Sequence, residues 1–431
     1  MSFIKKYYNI AKYILYPLCR SITGKGTLKS LNIIKKEFPK LKIKKIPSKT
    51  KVFDWTIPKE WNVKDAYVKD KFGKKIIDFK KNNLHLMGYS TPVNKTLNKR
   101  DLLNKIYYLK YQPNAIPYTT SYYKDRWGFN ISYNQKKYIE KKYKKNDTFK
   151  VAVKSKFNLN GKLNYGELVI KGQSKKEILI STYICHPSMA NDQLSGPIVS
   201  MCLIRYFQKR KKLERTLRFI FIPETIGSIA YLSKNLKHLK KNLIGGYALS
   251  CIGDEKNHSF VFSKSGNSPS DEALIEAYKK LKIKNYKSFS FLHRGSDERQ
   301  FNSPGIDLSI PLLCRSKPNL FNEYHTSLDN FKLVTTKGIR GGFEVAKLAI
   351  NILLKKIVPE NLVLCEPQMS KRGLYNTLSI KRNFDISRKY MDFLQYADGK
   401  NSLEEISKKI ETNFNLTKKI YYKLKKFRLV R

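Results

Sequence analysis

The spacing of apolar positions changes several times along the chain, and each change predicts a different kind of element. Residues 1–48 carry apolar side chains among lysines at helical intervals and close at Pro47 and Ser48. From 49 to 155 the apolar positions fall in short aromatic and β-branched runs broken by Pro, Gly and Asn, such as "KVFDWTIP" and "HLMGYSTPV", which predict strands and turns. Beyond about 165 the runs become solid: "EILISTYI", "LRFIFIPE" and "GGYALSCIG" read as strands buried on both faces. "GPIVSMCLIRYFQKR" and "SIAYLSKNLKHLKKN" lie between them as helices. Buried strands alternating with helices predict an α/β fold, a mostly parallel sheet covered by helices.

After "VLCEPQMSKRG" come short amphipathic helices. "SRKYMDFLQYA" places Tyr390, Phe393 and Leu394 on one face, and "LEEISKKI" is opened by Ser402 with Glu405 three residues on, a capping box. The last, "LTKKIYYKLKKFRLV", is strongly basic. These textures divide the chain into a helical part at 1–48, a β-rich small domain at 49–155, the α/β domain at 156–360 and a C-terminal domain at 366–431, and the first part is expected to belong to the α/β domain and the second to be inserted in it on the resemblance given below.

Composition changes this picture in two places. A net charge of +52 would suggest a polyanionic partner, but only 16 of the 86 basic residues are arginine, and lysine is spread through the whole chain. A lysine-coated surface is the simpler expectation. The six cysteines are scattered with no CxxC pair, which suits a reducing cytoplasm rather than a disulfide scaffold. The opening "MSFIKKYYNIAKYILYPLC" reads as an amphipathic helix and not a signal peptide, and no apolar run reaches the roughly 18 to 20 residues of a membrane span.

In open α/β sheets the loops that leave the carboxyl ends of the strands converge, so chemistry is sought there. "EILISTYI" is followed by Cys185, His186 and Asp192, "LRFIFIP" by Glu224, and "GGYALSCI" by Asp254. A final apolar strand leads through Arg315 to "NEYHTSLDN" with His325. Imidazoles and carboxylates at the ends of one sheet are zinc-site chemistry, with a separate carboxylate to take a proton from water. His85, His238, His258 and His293 lack such company and read as ordinary hydrogen-bonded histidines. Glu224 as a helix cap, and Asp254 and Asp329 as turn residues, are the plainer alternatives.

These residues carry a family resemblance. "ANDQLSG", "FIPETIGSIAYL", "GSDERQFNSPGI" and "YHTSLD" resemble, in order and spacing, the metal-site segments of the zinc aminopeptidase superfamily over roughly 165 to 355. Together with "CRSITG", "VFDWTIPKEWN" and "CHPSMAND", they resemble more closely a bacterial aminopeptidase-like branch found in polysaccharide-biosynthesis gene clusters. That branch pairs the α/β domain with an inserted small domain and a C-terminal winged helix. Where the superfamily has His-x-Asp this chain has His186-Pro187-Ser188, its paired glutamates are Glu224-Thr225, and Ser250 stands at a further ligand position.

The resemblance therefore implies one zinc per chain, held by His186, Asp192 and His325, with Glu224 as general base. Arg294, Asp297, Arg299 and Arg315 are candidates for binding a charged end of the substrate, with loop bracing as their alternative role. Arg20 of "CRSITG" is a candidate for the mouth of the site. The expected activity is zinc-dependent hydrolysis of an amide bond in a small peptide-like or amino-sugar substrate, an acylated or aminoacylated glycan precursor among them. The alternatives are a winged-helix regulator and a zinc-stabilised scaffold. A nucleic-acid partner is disfavoured but left open, because the basic last helix offers Lys and Tyr with only Arg428 near its end.

Overall fold

The computed structural model describes residues 2–375 and 385–431. Helix α1 (Ser2–Asn9) runs into a π-helical turn at Ile10–Leu15, and α2 (Lys25–Glu37) follows. The expectation of helical structure up to residue 48 is corrected over its last residues. Lys42–Pro47 is a strand, β1, because Pro39, after the C-cap Phe38 of α2, disfavours further helix. Its lysines stay exposed while Ile46 is buried, as suits the edge of a sheet, and Pro47 at its end needs no ladder donor.

The main sheet continues with β2 (Lys162–Ile170), β3 (Ser174–Tyr183), β4 (Arg215–Ile222), β5 (Leu243–Leu249), β6 (Ser259–Val261), β7 (Lys287–Phe289) and β8 (Leu312–Cys314). Its order is β1-β2-β4-β3-β5-β8-β6-β7. The central strands β4, β3, β5 and β8 are parallel, and antiparallel pairings flank them. The parallel crossovers are made by α3 (Ser195–Gln208), α4 (Ile226–Asn242) and α5 (Pro269–Lys280), and α6 (Thr336–Lys355) completes the domain.

Side-chain alternation along the strands separates two apolar layers. Leu217, Phe219 and Phe221 of β4 face a layer built from α1, α2, α3, α5 and α6, which includes Ile198, Leu274 and Ile350. Ile220 and Ile222 face the other layer, shared by α4 and the inserted segment, which supplies Trp61, Val151 and Val153. Because burying each such aliphatic or aromatic side chain is worth about 1.5–3 kcal/mol, the inserted segment is bound to the sheet through apolar packing. Within that segment the strands Lys75–Asp78, Glu60–Lys69, Thr148–Asn158 and Val93–Asn98 form an antiparallel sheet in that order.

At the start of α3, a Cβ on Gly196 would lie 2.2 Å from Thr182 Oγ1 and 2.5 Å from the Leu249 carbonyl. Only glycine lets this helix approach the ends of β3 and β5 so closely.

At the C-terminus, α7 (Asp385–Tyr396), α8 (Leu403–Lys409) and α9 (Phe414–Lys426) close on Phe393, Leu394, Ile406, Ile420 and Leu424. The Ser402 hydroxyl caps α8, accepting from Glu405 N at 3.1 Å, and also donates to Glu272 of α5 at 2.8 Å. Of the expected segment 366–431, residues 376–384 lie outside the described residues. Among the described residues no helix is long and apolar enough to cross a membrane.

Candidate metal-dependent active site

Asp192 is positioned by a loop that other carboxylates hold in place. After β3, Ala190–Leu194 winds as a π-helical turn in which Asp192 itself leaves helical geometry, with φ −79° and ψ 26°. The Asp329 carboxylate accepts the backbone N–H groups of Ala190, Asn191 and Asp192, which no helical partner would otherwise satisfy. Burial, and then the charge of Asp192, push the Asp329 carboxyl up to about 7. Asp254 accepts from the Asn191 side chain at 3.0 Å and from Ser316 N at 3.0 Å. Both aspartates read as turn residues in the sequence thus brace the loop that carries Asp192.

His186, Asp192 and His325 each offer one ligand atom, all within 4.8 Å of one another. His325 Nε2 and Asp192 Oδ2 stand 2.9 Å apart, yet neither atom makes a hydrogen bond of acceptable geometry. A ring nitrogen and a carboxylate oxygen held this close without an aligned hydrogen bond, beside the His186 imidazole, fit a shared cation. The other oxygen, Asp192 Oδ1, accepts from the Tyr183 hydroxyl and from Cys251 Sγ at 3.4 Å. Burial drives the His186 imidazole down to about 4, so it is neutral and able to ligate at pH 7. Burial would raise the Asp192 carboxyl, but the neighbouring imidazoles, His325 first, together hold it below its ordinary range. Two imidazoles and a carboxylate are a donor set that suits zinc.

Glu224 follows β4 and places Oε2 at 3.4 Å from His186 Nε2 and Oε1 at 3.6 Å from Arg299 Nη2. The next residue, Thr225, has φ 60°, a region costly for a β-branched side chain. Asp297 sustains that turn, accepting from Thr225 N at 2.8 Å and Ser228 Oγ at 2.9 Å, while Arg299 donates to Thr225 Oγ1 at 2.6 Å. Burial, then the Asp297 charge, push the Glu224 carboxyl well above its ordinary range, with Arg299 opposing. His325, Ser188 and Cys251 also have positive φ, at 54°, 45° and 48°, so backbone strain gathers in the loops around the cluster.

The structure brings Asp297 and Arg299 to Glu224, but not Arg294 or Arg315. Arg294 is exposed, its guanidinium 5.4 Å from the Phe291 ring centre. Arg315 donates to the Asn257 carbonyl at 2.5 Å and fills the space over Gly341. Among the described residues neither forms a hydrogen bond or ion pair with the cluster or Glu224, and Arg315 braces loops. The two positions without carboxylates carry hydroxyls already engaged: Thr225 with Arg299, and Ser250 with the Tyr183 phenol.

Sequence reasoning missed several residues here. Gln193 accepts Cys185 N at 2.7 Å and His186 N through Oε1 and donates to the Tyr183 carbonyl at 2.7 Å, fixing the loop that presents His186. Tyr118, from the inserted segment, sets its ring edge-on to His186 and His325, with centroids 5.1 and 5.3 Å away. Its neighbours hold the His325 loop: Ser327 N donates to the Ile116 carbonyl at 2.9 Å, and Ile116 N to Ser327 Oγ at 3.0 Å. The one available signal is the clustering of aromatics at 107–127, which does not by itself say where they pack.

Residues 8–356 match a family described as "Domain of unknown function (DUF4910)", and residues 357–431 match a winged helix-turn-helix family. A Clostridium acetobutylicum protein is 41% identical over 409 residues, covering 94% of this chain and 91% of its own length. Its name describes a polysaccharide biosynthesis protein with an aminopeptidase-like domain. A crystal structure of a peptidase-like protein from Clostridium acetobutylicum superimposes with TM-score 0.79 at 38% identity, over 100% of this chain and 96% of that one. A Bacillus subtilis zinc aminopeptidase shares the fold with TM-score 0.58 at 15% identity, over 81% of this chain and 93% of that one.

Proposed function

The chain belongs to the family described as "Domain of unknown function (DUF4910)" and has an aminopeptidase-like fold with a C-terminal winged helix, and from that premise we propose that it is a zinc-dependent amide hydrolase. The observation that carries this reading is the convergence of His186, Asp192 and His325, whose ligand atoms lie within 4.8 Å of one another, with Glu224 3.4 Å from His186 on the cluster's edge. His186, Asp192 and His325 would hold one zinc ion, which when bound polarises a carbonyl and acidifies water.

The chain's own groups supply the remaining chemistry. Glu224, whose carboxyl burial and then Asp297 push above its ordinary range, takes a proton from the attacking water and returns it to the leaving nitrogen. Asp297 and Arg299 position it through the Thr225 turn. Tyr118 walls both histidines and limits the water that reaches them. The name of the Clostridium relative supports an acylated or aminoacylated sugar of a surface polysaccharide as substrate, and the scattered thiols support a cytoplasmic setting.

The winged-helix match favours a second reading, a regulator that binds nucleic acid through α9. Against it, the end of α8 is engaged with α5 through Ser402 and Glu272, and the lysines of α9 are typical of the chain. An array of amide substrates, including N-acyl and N-aminoacyl sugars, tested with zinc-loaded wild type and Glu224→Gln decides the matter. Hydrolysis by the wild type alone supports the proposal, and none by either protein returns the regulator reading to first place.

A further inference from the structure

Asp192 uses its two carboxylate oxygens differently. Oδ2 lies 2.9 Å from His325 Nε2 and makes no hydrogen bond among the described residues. Oδ1 accepts from two neutral donors, the Tyr183 phenol and the Cys251 thiol, the latter at 3.4 Å. Ser250 Oγ in turn lies 2.5 Å from the Tyr183 phenol oxygen and 3.4 Å from Cys251 Sγ. All four side chains are buried. The neighbouring histidine is held through its backbone instead: Arg20, buried rather than at the mouth of the site, donates Nε to the His186 carbonyl at 2.9 Å.

The strand register assembles this group. β3 and β5 are parallel with Ser181 opposite Ala248, so Tyr183 at the end of β3 comes level with Ser250 just past the end of β5. Cys251 then takes φ 48°, and its carbonyl accepts from Arg315 N at 2.8 Å. The protons can be assigned one by one. Against burial, the neighbouring imidazoles, His325 first, hold Asp192 below its ordinary range, and an ionised carboxylate only accepts. Tyr183 and Cys251 each direct their one proton to Oδ1, and Ser250 donates its own to the phenol oxygen. Both lone pairs of Oδ1 are thereby occupied, one of them by a charge-assisted bond from a phenol, which is among the stronger hydrogen bonds.

We propose that Tyr183, Ser250 and Cys251 are positioning residues that leave Asp192 a single oxygen, Oδ2, for a metal. A carboxylate with both oxygens free can grip an ion through both. With Oδ1 closed, the cluster offers one ligand atom each from His186, Asp192 and His325, so one position of a four-coordinate ion stays open for water or a substrate carbonyl. The network thus sets how many bonds the protein makes to the ion. This role rests on the metal site proposed above and is independent of whether the site hydrolyses an amide.

Cobalt(II) in place of zinc reads the coordination number, because a four-coordinate cobalt site absorbs strongly in the visible and loses intensity as further ligands join. Full-length wild type loaded with cobalt is expected to give the strong four-coordinate spectrum, without the near-ultraviolet band of a cobalt–thiolate bond. Tyr183→Phe keeps the ring and removes the donor, so Oδ1 becomes free to ligate and the visible absorption should fall severalfold. Cys251→Ala should give a smaller fall and carries the test if Tyr183→Phe does not fold, whereas Cys251→Ser keeps a donor and should keep the wild-type spectrum. A weak spectrum in wild type, a cobalt–thiolate band, or an unchanged spectrum in both Tyr183→Phe and Cys251→Ala overturns this role while leaving the metal site in place. Failure of wild type to bind cobalt at all overturns the metal site, and this role with it.

Discussion

Tyr118 N donates a hydrogen bond to the His325 carbonyl at 2.8 Å, so a residue of the inserted segment fixes the backbone of a candidate metal ligand more than 200 positions away in sequence. His325 has φ 54°, and this bond, with the Ile116–Ser327 pair beside it, holds that strained backbone in place. The inserted segment is therefore part of the candidate site rather than an appendage to it.

Tyr118→Ala removes the ring that walls both histidines while keeping the backbone bond. Zinc affinity is expected to fall by about tenfold, the lower end for loss of a group that orients ligands. Competition with a chelator measures it, and an affinity equal to wild type would show that the ring does not order the ligands.

Glu224→Gln keeps the shape of the side chain and cannot accept a proton. Zinc content and melting temperature should match wild type while hydrolysis falls by at least about a hundredfold. Near-normal turnover would reduce Glu224 to a partner of Arg299.

His325→Ala and His186→Ala each remove one of three ligands and should abolish tight zinc binding. Circular dichroism of the metal-free variants, compared with metal-free wild type, separates loss of the ion from loss of the fold. Tight zinc retained in both variants would place the metal elsewhere.

Asp329→Asn puts an amide N–H where a carboxylate oxygen accepts backbone N–H groups, and is expected to cost about 1–3 kcal/mol by leaving a buried donor unsatisfied. It also changes the pH dependence of the metal-free protein. The folded Asp329 carboxyl lies at about 7 against an ordinary value of 3.8. Between those values the folded state holds the proton more tightly, so its contribution is complete below about 4 and is lost as pH rises to about 7. Chemical denaturation across that range should fall less steeply with pH in Asp329→Asn than in wild type. Parallel curves would contradict the role given to this carboxyl.

The parts of this architecture legible in the sequence are those carried by local pattern. "EILISTYI" and "LRFIFIP" are solid apolar runs followed at once by Cys185-His186 and by Glu224, so strand and strand-end chemistry could be read together. The strand Lys42–Pro47 was hidden because a lysine-rich edge strand with one buried isoleucine carries no clear period of two. Tyr118 and Gln193 were hidden for another reason: their roles depend on contacts that no local spacing encodes. Arg315 shows the converse, since an arginine beside a strand end looks like a substrate anchor until its guanidinium is seen over Gly341.

The central claim is one zinc ion at His186, Asp192 and His325, and zinc stoichiometry tests it most directly. Full-length protein loaded with zinc, desalted and measured by elemental analysis should hold about one zinc per chain. A stoichiometry near zero, or two tightly held ions per chain, would contradict the account.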